Sequence, residues 1–176
     1  MKYAITGHTK GIGKAFSQLD EVKDNFIGFS RVTGHDIKEK EDRRKIIKDA
    51  IDCDVFINNS YNLYHQTDLL YELHRKWKHL PKTIVNMSSY TTETFKDFPH
   101  TYQAHKASLD MASLHLDHMG KCNCILIKFG YVGSEKILTY IKPEKYIDVN
   151  HAAEMILQAI KWSDKYKVKQ ITITPG

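Results

Sequence analysis

Apolar residues fall along the chain in two alternating rhythms. Short, almost unbroken apolar runs occur at residues 2–6 (KYAIT), 25–30 (NFIGFS), 54–58 (DVFIN), 83–87 (TIVNM), 124–129 (CILIKF) and 170–174 (QITIT). Such runs predict strands buried on both faces. Between them lie longer stretches with apolar residues at helical spacing: 11–22, 40–51, 67–79, 102–119 and 148–163. In 40–51, for example, Ile46, Ile47, Ala50 and Ile51 form one stripe, and Asp148 or Asn150 is a candidate N-cap for the last helix. Strands alternating with amphipathic helices predict an α/β fold: a doubly wound, mostly parallel sheet with helices on both faces. No repeat, low-complexity tract or linker interrupts the pattern, so residues 1–176 are expected to form one domain.

Composition narrows the function classes. Hydrophobic content of 41% and charged content of 27% are ordinary for a globular chain. MKYAITG enters a strand at once and no apolar stretch is long enough to span a bilayer, so neither a leader nor a membrane partner is expected. Cys53, Cys122 and Cys124 are odd in number and sit beside or within apolar runs, which predicts reduced thiols and a cytoplasmic protein. The net charge of +5 comes mostly from scattered lysines, and the densest basic group, EDRRKIIKD, is flanked by carboxylates. This reads as a solvated helix face and predicts no nucleic-acid partner. His115, His118, Cys122 and Cys124 resemble metal ligands by type, but their spacing is not that of a zinc site, and no metal is expected.

Two features carry chemistry. The first strand-to-helix junction, ITGHTKGIGKAF, places Gly7, Gly11 and Gly13 where a phosphate-binding turn would need them. Glycine lets the backbone turn tightly and approach a pyrophosphate, while a helix N-terminus offers free N–H groups. The second feature is Tyr102 four residues before Lys106, within HTYQAHKASLD. With 10 tyrosines and 22 lysines among 176 residues, one such pair is expected by chance, and this is the only one. Alone it decides nothing.

Taken in order, however, several segments resemble the short-chain dehydrogenase/reductase family. TGHTKGIG matches its Thr-Gly-x-x-x-Gly-x-Gly turn. DVFINNS is similar to its Asn-Asn-Ala-Gly stretch, and IVNMSS to its catalytic-serine strand. YQAHK matches its Tyr-x-x-x-Lys, and FGYVGS its Pro-Gly-x-Val-x-Thr turn. Ser89 lies thirteen residues before Tyr102, the usual family spacing. Departures accompany the match. Tyr61 replaces the glycine of the Asn-Asn-Ala-Gly stretch and Phe129 the proline of the later turn, and the chain is shorter than family members usually are. Only five residues separate Ser30 from Asp36, too few for a helix and a returning parallel strand, which need about a dozen or more. The expectation is a three-layer Rossmann-type domain trimmed to about six strands, with the family's third strand missing.

The resemblance implies an NADP(H)-dependent oxidoreductase acting on a small carbonyl or alcohol. Tyr102 would be the general acid/base, its phenol pKa lowered by Lys106. Ser89 would polarise the substrate oxygen, and Asn62 would complete the set. Cofactor contacts would come from Thr6, Gly7, Lys10, Gly11, Ile12 and Gly13 in the turn, and from Asn58 and Ser60 after the next matched strand. Asp36 and Ile37 would lie at adenine, Gly130, Val132 and Ser134 at the nicotinamide amide, and Tyr102 and Lys106 at the ribose. Arg31, with no carboxylate before Asp36, argues for NADP(H) over NAD(H). Apolar residues on the helices at 67–79 (Leu69, Leu70, Leu73, Trp77) and 102–119 (Leu109, Met111, Leu114, Leu116) exceed what one sheet face needs, and in the family these helices pair across a two-fold axis. A homodimer or homotetramer is therefore expected. The alternatives are a dinucleotide-binding regulator or scaffold with weak turnover, and an epimerase or dehydratase using transient hydride transfer.

Overall fold

The computed structural model describes residues 1–94 and 100–176. Six strands form one parallel sheet: β1 (Tyr3–Thr6), β2 (Phe26–Phe29), β3 (Val55–Asn58), β4 (Thr83–Ser89), β5 (Asn123–Phe129) and β6 (Gln170–Ile173). Their order is β2-β1-β3-β4-β5-β6. The connections are α1 (Gly11–Ser17), α2 (Lys40–Asp49), α3 (His65–Trp77), α4 (Thr101–Leu116), and then α5 (Glu135–Tyr140) and α6 (Val149–Ser163) between β5 and β6. The sequence-based expectation of a trimmed six-strand α/β sandwich holds. The short α5 was not foreseen: EKILTY is too brief to show a period.

Strand side chains alternate between two cores. Tyr3, Ile5, Val55, Ile57, Val85 and Ile125 face α1 and α6, where Phe16, Ala153 and Ile156 meet them. Ala4, Phe56, Ile84 and Cys124 face the opposite layer of α2, α3 and α4. Leu69, Leu70, Leu73, Trp77, Leu109 and Leu116 all belong to this second core. The apolar surplus of α3 and α4 is therefore used inside the chain. Of the residues that suggested a two-fold contact, Met111 is exposed and Leu114 half-buried. The three cysteines are buried and free, and no helix among the described residues is long and apolar enough to cross a membrane.

The missing strand has a local cause. Immediately after β2, the Ser30 hydroxyl accepts from the Thr33 N–H at 3.3 Å and the Thr33 hydroxyl accepts from the Ser30 N–H at 3.0 Å. This reciprocal cap closes a 3-10 turn over Arg31–Thr33, and Gly34, at φ 79°, reverses the chain. The path then runs into α2, anchored by Arg43, which is buried. Arg43 donates to the Ile37 and Lys38 carbonyls and pairs with Glu72 of α3 at 3.0 Å.

The end of α1 differs from the hydrophobic pattern for a local reason. α1 ends at Ser17 although the apolar spacing continues to Val22: the Ser17 hydroxyl donates to the Lys14 carbonyl at 2.9 Å and competes with the helical ladder. Leu19 and Val22 still pack against the core, from turns. At α6 the N-cap is Asp148, which accepts from the Asn150 and His151 N–H groups.

Candidate active site

Every segment that carried a motif ends at one edge of the sheet, beyond the C-terminal ends of β1, β3, β4 and β5. In an open parallel sheet this is where ligands bind, and the strand order reverses beside β1.

The glycine turn follows β1. Gly7 and Gly11 have φ of 76° and 51°, the left-handed region. Gly13 is required by proximity: a Cβ there would lie 2.2 Å from the Gly7 carbonyl oxygen. Thr6 is buried and locks β1 to the chain leaving β3, accepting from the Asn59 and Ser60 N–H groups, both at 3.0 Å. Asn59 then donates from its side-chain amide to the Thr6 carbonyl at 3.0 Å. Asn59 thus holds the turn, a role that sequence reasoning, which gave its neighbours Asn58 and Ser60 cofactor contacts, did not assign; the doubled asparagine was the available signal. Ile12 is half-buried against the α1/α6 core and Lys10 is exposed at the N-cap of α1. Ser134, after β5, approaches this turn, with its Cβ 3.5 Å from where a Gly11 Cβ would be. Val132 is buried and bridges to Ile147, while Gly130 lies against Pro175.

After β2, Arg31 is exposed. Asp36 directs its carboxylate to the Lys38 N–H at 3.0 Å and more weakly to the Asn62 amide at 3.4 Å. Ile37 is buried in the α2/α3 core and its carbonyl is taken by Arg43, so its side chain is closed to a ligand.

Ser89, Tyr102 and Lys106 converge from the end of β4 and the first two turns of α4. The Ser89 hydroxyl accepts from the Thr91 hydroxyl at 3.0 Å and lies near enough to the Tyr102 phenol to pull its pKa down. The phenol pKa is not lowered, as the tyrosine–lysine spacing had suggested. Burial raises it above the ordinary value, and the neighbouring Ser89 hydroxyl pulls the other way without prevailing. Lys106 itself is turned away from that role. Its Nζ points inward to the Met87 carbonyl at 2.7 Å and the Gln66 side-chain oxygen at 2.8 Å. Desolvation lowers the Lys106 pKa to about 7, with the Asp110 carboxylate opposing the fall. Tyr61, the residue standing in place of a glycine, lies over the amine: Nζ is 5.4 Å from its ring centre and 5.7 Å from that of Tyr102, and the two rings meet edge-on at 4.8 Å. The Tyr61 hydroxyl bonds His105 Nδ1 at 2.8 Å, and Tyr64 packs on the same imidazole.

Asn62 does not join this group. It precedes α3 rather than lying on it, and among the described residues its side-chain bond is the long contact to Asp36. The α3 residue that reaches Lys106 is Gln66, which sequence reasoning missed. Asn58 is buried too and serves the interior: its amide donates to the Gln66 backbone carbonyl and to Asn86, both at 3.0 Å, and Asn86 continues to Ser113.

A second, charged cluster braces the loop after Ser89. Lys128 of β5 bonds Glu93 at 2.9 Å and Asp110 at 3.0 Å, and Asp110 also accepts from Ser88. Desolvation pulls the Lys128 pKa down, but the two carboxylates outweigh it and the net shift is upward; Lys128 in turn lowers the Glu93 pKa. A lysine inside the apolar run CILIKF was the sequence signal, since a buried ammonium demands carboxylate partners. Gln103 adds a bond from α4 to the Thr91 carbonyl at 2.7 Å.

Among solved structures the fold has many counterparts. A 3-alpha-hydroxysteroid dehydrogenase from Pseudomonas, complexed with NADH, superposes with a TM-score of 0.80 at 14% identity, over 99% of this chain and 95% of the other. A short-chain dehydrogenase from Sphingobium yanoikuyae in complex with NADPH gives 0.77 at 12% identity, over 98% and 87%. One from Burkholderia cenocepacia, in complex with NADP, gives 0.77 at 16% identity, over 98% and 89%. By sequence, no family model and no curated protein matches. Likeness at these identities shows that the chain has the fold of these dehydrogenases.

Replacing Gly13 by alanine tests the tightness of the turn. Helix propensity favours alanine by about 1 kcal/mol, but the new methyl would press on the Gly7 carbonyl. Net destabilisation of about 1–3 kcal/mol is expected by urea denaturation; a stabilised variant would show that the turn is loose.

Proposed function

We propose that the chain is a member of the short-chain dehydrogenase/reductase family and works as an NADP(H)-dependent oxidoreductase on a small carbonyl or alcohol. The observation that carries this reading is the convergence of Ser89, Tyr102 and Lys106 at the same sheet edge as the glycine turn.

The chain's residues fit such a cofactor, with one movement required. The turn at Gly7, Gly11 and Gly13 is closed so tightly on backbone that its N–H groups would suit a pyrophosphate. Lys10 and Arg31 are exposed cations, and the Asp36 carboxylate is engaged by the Lys38 N–H. This favours a 2′-phosphate over bare ribose hydroxyls. Asp36, the Ile37 backbone, Ser60, Gly130, Val132 and Ser134 would complete the cofactor site. Lys106 meets a ribose only if the Tyr61 ring turns aside. That ring is partly exposed, and its anchors are a hydroxyl bond to His105 and ring contacts.

The bound dinucleotide supplies the hydride. The protein's task is the proton. A phenol with a raised pKa keeps its proton at neutral pH, so Tyr102 is set to act as general acid toward a carbonyl oxygen. Ser89, beside the phenol, would donate to the same oxygen. The Tyr61 cover over Lys106 also favours a second reading, a dinucleotide-binding protein with slow turnover.

Tyr102→Phe removes the transferable proton and leaves the ring packing. NADPH affinity should stay within about twofold while carbonyl-dependent NADPH oxidation falls at least about a hundredfold, the scale of one lost general acid. Wild-type rates in this variant would remove Tyr102 from the chemistry.

Cofactor choice is tested at Arg31. A charge-assisted bond to a 2′-phosphate is worth about 1.5–3 kcal/mol, or roughly ten- to a hundredfold in dissociation constant. NADPH should bind tighter than NADH by that factor. Arg31→Ala should abolish most of the difference and leave NADH nearly unchanged, as read by fluorescence titration. Equal affinities in the wild type would contradict the assignment.

A further inference from the structure

Gln66 opens the core-facing side of α3 and is 1% exposed. Its side-chain amide makes a bond with each of its atoms. The nitrogen donates to the Asn58 carbonyl at 2.7 Å and to the Met87 carbonyl at 3.1 Å. The oxygen accepts from Lys106 Nζ at 2.8 Å. The amide orientation follows from these partners: a flipped Gln66 would aim its NH₂ at an ammonium and its oxygen at two carbonyl oxygens. One side chain thus ties the ends of β3 and β4 to the lysine of α4. Two of the three ammonium hydrogens are taken, by Gln66 and by Met87, and the remaining side of the amine faces the Tyr61 and Tyr102 rings.

We propose that Gln66 is the positioning residue of the site: its amide oxygen holds the Lys106 amine beside Tyr102 and favours the amine's charged form. This rests on the oxidoreductase reading for its catalytic consequence, though not for its geometry. The groups that bear on the amine are few. Gln66 reaches it from α3, the Met87 carbonyl from β4, Tyr61 from the turn after β3, and Tyr102 and Asp110 from α4 itself. His105 acts on it through its bond to Tyr61, and Lys128, Glu93 and Ser88 through Asp110. Below about pH 7 the amine is an ammonium that keeps both acceptors satisfied; above it, the proton is lost and the Gln66 oxygen loses part of its partner.

The direct readout is the titration of Lys106 by NMR in lysine-labelled protein, with the signal assigned by its absence in Lys106→Arg. The wild-type midpoint should lie near 7. Gln66→Met keeps the volume and removes the acceptor, so the midpoint should fall by about 1–2 pH units, the equivalent of one hydrogen bond to a charged group. Gln66→Glu places a carboxylate at the same reach, and the midpoint should rise by at least about one unit. Thermal melts establish that each variant is folded, and either one alone suffices. A folded variant whose Lys106 midpoint stays at the wild-type value overturns the proposal. The basic limb of the turnover–pH profile should follow the same midpoint in each protein. If the NMR midpoints move and no protein turns over a carbonyl, the oxidoreductase reading fails and the role of Gln66 stands.

Discussion

Lys106 Nζ lies 2.8 Å from the Gln66 amide oxygen and 2.7 Å from the Met87 carbonyl, with two tyrosine rings over it. Burying an amine this completely is costly unless its hydrogens are bonded. Much of the surrounding arrangement follows from that requirement. Gln66 must be oriented, so Asn58 gives it a backbone carbonyl and takes its own backbone carbonyl in return. Asn58 must be oriented too, which brings in Asn86 and, beyond it, Ser113 of α4. The result is an amide ladder under the candidate site, joining β3, β4, α3 and α4 beside a largely apolar core.

Around this ladder the loops are braced by charge rather than by length. A trimmed chain has little loop to fold over its site. The segment after Ser89 is instead fastened by Lys128 to Glu93 and by Gln103 to Thr91, and the entry to α2 by Arg43. Lys128 and Arg43 each bond two or more partners, which is how a buried charge becomes tolerable. The Tyr61 ring, tethered to His105, covers the amine that family resemblance assigns to ribose. Binding and uncovering are therefore coupled in this account.

The sheet was legible because its signals are periodic. Six apolar runs became six strands, and the short Ser30-to-Asp36 interval foretold the missing one. Ser89, Tyr102 and the glycines were legible because they sit in motifs. Gln66 was not, because a lone glutamine at the start of an amphipathic helix has no pattern; its meaning depends on Lys106, 40 residues away in sequence. Asn62 drew attention instead by residue type, and lies one turn too early to reach the amine. The direction of the Tyr102 shift was also misjudged, since spacing puts a lysine near a phenol but does not say which way its amine points. In this fold it points inward.

The claim that this edge of the sheet performs hydride chemistry is tested most directly by isotope transfer. The protein would be incubated with NADPH carrying deuterium at the reactive nicotinamide carbon, together with a panel of small ketones and aldehydes, and the products read by mass spectrometry. The account predicts an alcohol bearing one deuterium on its carbinol carbon, formed by the wild type and not by Tyr102→Phe. Tight NADPH binding with no deuterium in any product would contradict it.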